Sequence, residues 1–330
     1  MTDKAVTIAV DAMGGDRAPE QNVLGAALAA ADKNLRIILV GDVEAIKPFL
    51  NDQPQNILLK HAPDVIGMHE HPVAAIKKKT LSSMVVAANL VKEGQADALF
   101  SAGNTGACTA AGLLIVGRLS SVDRPAIATL FPTRKGFSLL LDVGANADCK
   151  PENLLEFAKM GTVYVQQMLG VPEPTVGLLN IGEESSKGNF LALRAYELLR
   201  QSSLKFYGNV EGRDLPEGRT DIIICDGFTG NITLKLMEGI SVAIFEEIKG
   251  IIDKSLSAKL GAALLFSRFR ELKAKLNPES YGGSPLLGVR RAVVIAHGSS
   301  SPQAVANAIK TAAQTIENRV VEKIEENLTS

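Results

Sequence analysis

The feature that most constrains this chain recurs along it: an apolar run of strand length that ends in a short turn rich in glycine, aspartate and asparagine. Its clearest copy is Leu99-Phe-Ser-Ala-Gly-Asn-Thr-Gly-Ala107. The apolar residues from Ala96 to Phe100 read as a strand, and Gly103 and Gly106 free the turn from steric limits. Thr105 is placed to cap a helix running through Ala110, Leu113 and Val116. Such a turn aims backbone N–H groups and the positive end of a helix at one point, which suits an anion. An ordinary strand-to-helix connection would use the same residue types, so recurrence matters more than this one copy.

Val6 to Val10 runs into Asp11-Ala-Met-Gly-Gly-Asp16, Leu35 to Val40 into Gly41-Asp42, and Phe137 to Leu141 into Asp142-Val-Gly-Ala-Asn146. Thr175 to Asn180 runs into a polar loop ending Lys187-Gly-Asn189, and Ile222 onward into Asp226-Gly-Phe-Thr-Gly-Asn231. Alanine-rich or amphipathic stretches lie between, one opening at Pro19 and another spanning Pro151 to Gly170. Alternating strands and helices predict right-handed βαβ units and an α/β fold with a mostly parallel sheet. In an open parallel sheet the carboxyl ends of the strands line one crevice. Asp11, Asn104, Asn146, Lys187, Glu211, Asp226 and Asn231 are therefore expected to face it together. Lys187 precedes a helix whose positive end gives a cation no support, so a bound anion explains its position better.

The 330 residues are 46% hydrophobic with a net charge of −1, enough to bury a core as a single α/β domain over 1–330. The near-zero charge, with Lys77-Lys78-Lys79 as the longest basic tract, argues against a nucleic acid partner. Cys108, Cys149 and Cys225 lack metal-ligand spacing, and no signal peptide is evident, so reduced packing thiols and a cytoplasmic location are expected. His69 and His71, an alternating pair before a proline with Glu70 between them, lack a third ligand nearby, and no metal is expected there. Apolar runs fall short of the roughly 20 residues a spanning helix needs.

From about residue 232 to 278 the alternation breaks into two helical stretches, separated near Ser255 to Gly261. They read as a helical hairpin leaving the body of the domain. Its apolar stripes suit a dimer interface. At the tip, Leu256, Leu260, Ala263, Leu264 and Phe266 cluster near a break at Gly261, beside Lys254, Lys259 and Arg268. That pattern suits shallow insertion among anionic lipid head groups. Arg268, Arg270, Lys273 and Lys275 form a surface that an acidic protein could dock on.

Asp11-Ala-Met-Gly-Gly-Asp16, Ser101-Ala-Gly-Asn-Thr-Gly-Ala107, Leu141-Asp-Val-Gly-Ala-Asn146, Asp226-Gly-Phe-Thr-Gly-Asn231, Tyr281-Gly-Gly and His297-Gly-Ser-Ser300 follow one another in fixed order. In this the chain resembles the bacterial phosphate acyltransferases of phospholipid synthesis over essentially its whole length. The resemblance implies a Rossmann-like sheet related to phosphotransacetylases and isopropylmalate dehydrogenases. It also implies a homodimer that moves a fatty acyl group from acyl carrier protein (ACP) to inorganic phosphate without a cofactor. The acyl phosphate would serve a membrane-bound glycerol-3-phosphate acyltransferase, with this protein peripheral to the inner face of the cell membrane. Arg17 stands where the family pattern has histidine, so no histidine role carries over to that position.

The residues fit such chemistry independently. Phosphate attacking a thioester passes through an oxyanion that needs N–H donors or a cation, and phosphate needs a cradle. Lys187, Asn231, His297 and Asn104 are the catalytic candidates, with His297 placed either to protonate the leaving sulfur or simply to close a strand end. Asp11, Gly14, Gly15, Asp16, Gly103, Thr105, Gly106, Asn146 and Asp226 are the candidates for holding phosphate and substrate. A nicotinamide dehydrogenase is disfavoured, because Ala12-Met-Gly-Gly-Asp16 lacks the Gly-x-Gly-x-x-Gly spacing. A non-catalytic anion-binding protein and a phosphotransacetylase acting on acyl-CoA are the competing readings.

Overall fold

The computed structural model describes residues 5–50, 54–276 and 282–329, and the side chains of 273–276 lie outside that description, as does Tyr281. The strands are β1 (Val6–Asp11), β2 (Leu35–Gly41), β3 (Ile57–His61), β4 (Ala98–Ser101), β5 (Ala126–Thr133), β6 (Gly136–Leu141), β7 (Thr175–Asn180), β8 (Lys205–Glu211), β9 (Ile222–Ile224), β10 (Ser284–Leu287) and β11 (Ala292–Ile295). The helices are α1 (Glu20–Ala29), α2 (Val43–Ile46), α3 (Pro72–Lys78), α4 (Ser83–Lys92), α5 (Thr105–Ala111), α6 (Pro151–Leu169), α7 (Phe190–Gln201), α8 (Gly227–Asp253), α9 (Leu256–Leu276), α10 (Pro302–Glu317) and α11 (Val320–Thr329).

All the strands join one eleven-stranded sheet in the order β3-β2-β1-β4-β11-β10-β5-β6-β9-β7-β8. Most neighbours are parallel, as the alternation predicts. The exceptions, β10 with β11, β10 with β5 and β5 with β6, are antiparallel and sit together mid-sheet. They reverse the direction of everything beyond them. Strands β6, β7, β8 and β9 run opposite to β1, β4 and β11, so their carboxyl ends emerge at the other edge of the sheet. The expected single crevice is therefore two sets of strand ends, for a local reason. Thr133 and Gly136 pair across a two-residue turn, and a connection that short can only return the chain antiparallel.

Helices cover both faces. Helices α1 and α10 pack Val23, Ala26, Val305 and Ile309 on Ile8, Ile37, Phe100 and Val294. The other face of that half carries α4 and α5, through Met84, Ala88, Ala107 and Cys108. In the reversed half α6, α7 and α11 bury Phe157, Tyr164, Leu199 and Val320 against Leu139, Leu141 and Ile222. The hairpin starts inside the Asp226–Asn231 motif, at Gly227, and α8 lays Leu234 and Met237 on the core before leaving it. The turn between α8 and α9 is at Lys254–Ser255, and Gly261 lies within α9 rather than at a break. Beyond the body both helices expose large apolar side chains, Ile244 of α8 by 53% and Leu264 of α9 by 85%.

Candidate functional site

At the carboxyl ends of β1, β4 and β11 three loops interlock. Asp11, buried at the end of β1, accepts from Ser101 Oγ at 2.7 Å and from Met13 N–H at 3.3 Å. Burial pushes its carboxyl above the usual aspartate range, against hydrogen bonds from Ser83, Ser101, Met13 and Gly14. A Cβ on Gly14 would stand 2.8 Å from the Gly103 Cα, so these two turns meet backbone to backbone. Asn22 of α1 clasps the first loop by donating to the carbonyls of Ala12 at 3.1 Å and Gly14 at 2.7 Å. Asp16 N–H donates to the Gly298 carbonyl at 2.8 Å, and Arg17 reaches the Ser299 carbonyl at 2.6 Å. Gly15 lies against the Ala102 and Gly298 carbonyls, and Gly106 under Pro72.

Asn104, not Thr105, caps α5: its Oδ1 accepts from Ala107 N–H at 3.0 Å. Its Nδ2 donates to the carbonyls of Gly67 (3.3 Å), Met68 (3.0 Å) and Glu70 (3.1 Å), so the whole amide ties the turn to the 67–70 loop. Glu70 itself pairs with Lys79 at 2.5 Å and accepts from Gly67 N–H, contacts that hold its carboxyl below the usual range.

The second set lies where β6, β9 and β7 end. Asp142, absent from the sequence candidates, organises it. Its Oδ1 accepts from the N–H groups of Ile127, Gly144 and Ala145, and its Oδ2 from both the backbone and side-chain nitrogens of Asn146, all within 2.8–3.1 Å. Burial raises this carboxyl too. Asn146 also donates to the Pro125 carbonyl at 2.8 Å, and its own carbonyl receives Gly227 N–H. Asp226 caps α8 through Thr229 N–H at 2.9 Å and Thr229 Oγ1 at 2.7 Å. Gly230 admits no side chain, since a Cβ there would stand 1.9 Å from the Asp142 carbonyl oxygen. Lys187 lies in the exposed loop after β7, its carbonyl accepting from Asn180 Nδ2 at 3.0 Å, and pairs with no carboxylate among the described residues. Glu211 is held by Arg213 at 2.5 Å.

A cleft of about 130 Å3 runs across the sheet face between the two sets. Thr105 and His297 enter it from the first, Asn231 from the second, and α8 forms its outer wall with Leu234, Lys235 and Glu238. Ile127, Leu130, Val143 and Ile295 make an apolar floor, and Thr129 and Ser284 share a hydroxyl contact there. Lys235 Nζ stands 2.9 Å from Glu238 Oε2 and 3.3 Å from His297 Nε2. His297 Nδ1 meets Ser299 at the hydroxyl (2.8 Å) and the N–H (3.3 Å). An ammonium only donates, so Nε2 can pair with Lys235 only as the acceptor, a tautomer in which Nδ1 donates to the Ser299 hydroxyl and cannot also accept from the Ser299 N–H. Ser300, 3% exposed, lines the same cleft with a hydroxyl that has no partner among the described residues. A cation and hydroxyls beside an apolar floor can hold a polar carbonyl with a hydrocarbon attached. Asn231, Lys235 and Glu238 recur at helical spacing on one face, the signal that would have marked Lys235 in the sequence.

This arrangement, two oppositely running halves around a cleft, is the fold of the phosphotransacetylases. The structure covers 95% of its own chain and 95% of the phosphotransacetylase from Streptococcus pyogenes at a TM-score of 0.61 and 21% identity. At the level of sequence the chain belongs to the family described as fatty acid synthesis protein, whose model matches residues 6–323. It is 48% identical over 325 residues to a phosphate acyltransferase of Desulforamulus reducens, covering 98% of this chain and 97% of that protein. It is 50% identical over 316 residues to one of Moorella thermoacetica, covering 95% and 93%.

The contrast between tied and exposed amides is measurable. Asn104→Ala removes a cap and the donor to the 67–70 loop and is expected to lower unfolding free energy by about 2 kcal/mol. Asn231→Ala, exposed in the cleft, is expected to change it by less than about 0.5 kcal/mol. Urea unfolding of the two variants checks this, and an unchanged midpoint for Asn104→Ala contradicts the tie.

Proposed function

We propose that this enzyme transfers a fatty acyl group from the thioester of acyl carrier protein to inorganic phosphate, releasing free thiol and an acyl phosphate for phospholipid synthesis. The observation that carries the proposal is the cleft, where hydroxyls, the Asn231 amide and the Lys235–His297 pair border an apolar floor of acyl-chain character. The names of its relatives and its phosphotransacetylase fold support phosphate as acceptor. In the proposed reaction a phosphate oxygen attacks the thioester carbon, the C–O bond forms and the carbonyl becomes an oxyanion. On collapse the C–S bond breaks, sulfur takes the electron pair, and the proton that phosphate loses ends on the thiol. No protein nucleophile is needed, because phosphate is anionic near neutral pH and a thiolate leaves readily. The cysteines suit this: burial pushes the thiols of Cys108 and Cys225 up and that of Cys149 up to about 12, far from thiolate. Asn231 and His297 are proposed to hold the reacting groups, while Asp11, Asn104 and Asn146 hold the loops that place them. Gly14, Gly15, Asp16, Gly103, Thr105 and Gly106 are proposed to line the phosphate side, and Asp226 to fix the start of α8.

Enzyme incubated with acyl-ACP and phosphate, stripped of remaining acyl-ACP and only then given hydroxylamine, is expected to give acyl hydroxamate in an amount equal to the ACP thiol already released, both dependent on phosphate and indifferent to a chelator. Thiol release that ignores phosphate contradicts the reaction, and faster turnover of acyl-CoA than of acyl-ACP contradicts the donor.

The hairpin supports a further part of the proposal. Two copies are proposed to pair along its apolar faces, with the tip resting on an anionic membrane surface close to the glycerol-3-phosphate acyltransferase that uses the product. Among the described residues no helix is long and apolar enough to cross a membrane. Leu256, Leu260, Ala263, Leu264 and Phe266 are all exposed, and Lys254 and Lys259 flank them. Arg268 and Arg270 are exposed on α9, suited to acidic ACP, while Lys273 and Lys275 have side chains outside the described set. Leu260→Glu combined with Leu264→Glu is expected to abolish sedimentation with phosphatidylglycerol vesicles and leave a dimer on a sizing column. A monomer would assign the tip to the interface, and persistent vesicle binding would remove the membrane from the account.

A further inference from the structure

Lys187, the sequence candidate for the cation of the reaction, is not among the residues that line the cleft. Among the described residues lining the cleft, Lys235 is the one lysine or arginine. We propose that Lys235 is a catalytic residue, its ammonium stabilising the oxyanion formed when phosphate attacks the thioester carbonyl. This deepens the acyl-transfer reading and rests on it.

The geometry accounts for all three ammonium protons. Glu238 Oε2 at 2.9 Å takes one and His297 Nε2 at 3.3 Å takes a second, which leaves the third for a substrate oxygen. The two partners come from different elements, Glu238 one turn along α8 and His297 from the loop after β11, so the head is held between them at the cleft wall. His297 is in turn held by Ser299. The unpartnered Ser300 hydroxyl on the same cleft offers a second donor without losing an existing bond. As the carbonyl π pair moves onto oxygen, the ammonium gains a full countercharge in place of a dipole. When the C–S bond breaks, the pair passes to sulfur and the carbonyl re-forms. Lys235 ends the step with the protons it began with, and the thiol receives the one that phosphate gave up.

A structural role predicts something different. The Lys235 side chain is 51% exposed, and an exposed ion pair one turn apart on a helix contributes little to stability. Truncation would then change neither melting nor turnover appreciably. The test is Lys235→Cys, assayed for phosphate-dependent acyl hydroxamate from acyl-ACP, before and after treatment with bromoethylamine. That reagent converts the cysteine into an ammonium-bearing side chain of nearly lysine length. The native thiols are buried or half-buried with raised pKa values, and wild-type protein treated alongside controls for them. The expected result is a fall in kcat of about 100-fold or more with an unchanged melting temperature, and recovery of at least about tenfold on aminoethylation. A fall of less than about threefold, or a loss that aminoethylation does not reverse, overturns the assignment. If wild-type enzyme forms no hydroxamate, the acyl-transfer reading fails instead, so the two failures are separable.

Discussion

The reversal of strand direction at β10, β5 and β6 is the constraint on which the rest of the molecule depends. A sheet wound in one sense would place every strand end on one edge and leave its faces to helices. Here the antiparallel joints send half of the loops to each edge, and the sheet face between them becomes the meeting ground. Helix α8 starts at the far edge, after β9, and crosses that face until Lys235 comes beside His297 of the near edge. The cleft exists because one helix spans two sets of loops that the sheet holds apart.

Each set is locked by a buried aspartate at the end of a strand. Asp11 and Asp142 both accept several hydrogen bonds, and burial, the larger effect, raises both carboxyls in spite of those donors. Glycines then allow backbones to close on them, Gly14 against Gly103 and Gly230 against Asp142. The loops are thereby fixed before any substrate arrives, and rigid placement is what electrostatic stabilisation of a transition state requires.

Much of this was legible in the sequence. The apolar runs gave the positions of the early strands because a buried strand needs little beyond length and β-branched residues. Their direction was not legible, since an apolar run reads the same either way. The clue lay in the two residues between Thr133 and Gly136, and of the four-residue strands β10 and β11 only the end of β11, before His297, was legible. Asn104 rather than Thr105 caps α5, a shift of one that cap geometry alone decides. Gly261 suggested a break but sits in α9, because an exposed glycine weakens a helix without ending it. Lys235 went unseen because the hairpin was read from its apolar stripe, and a single lysine on such a stripe looks like a solvated edge. Lys187 stood out on chain position alone, and it is not among the residues that line the cleft.

The central claim is that acyl transfer happens in the cleft between the two halves. A fatty acyl thioester of ACP carrying a diazirine next to the carbonyl, photolysed on the enzyme and followed by peptide mapping, tests it most directly. The account predicts label in residues 127–143 and 231–238, lost when unlabelled acyl-ACP competes. Label confined to the 181–189 loop would contradict it.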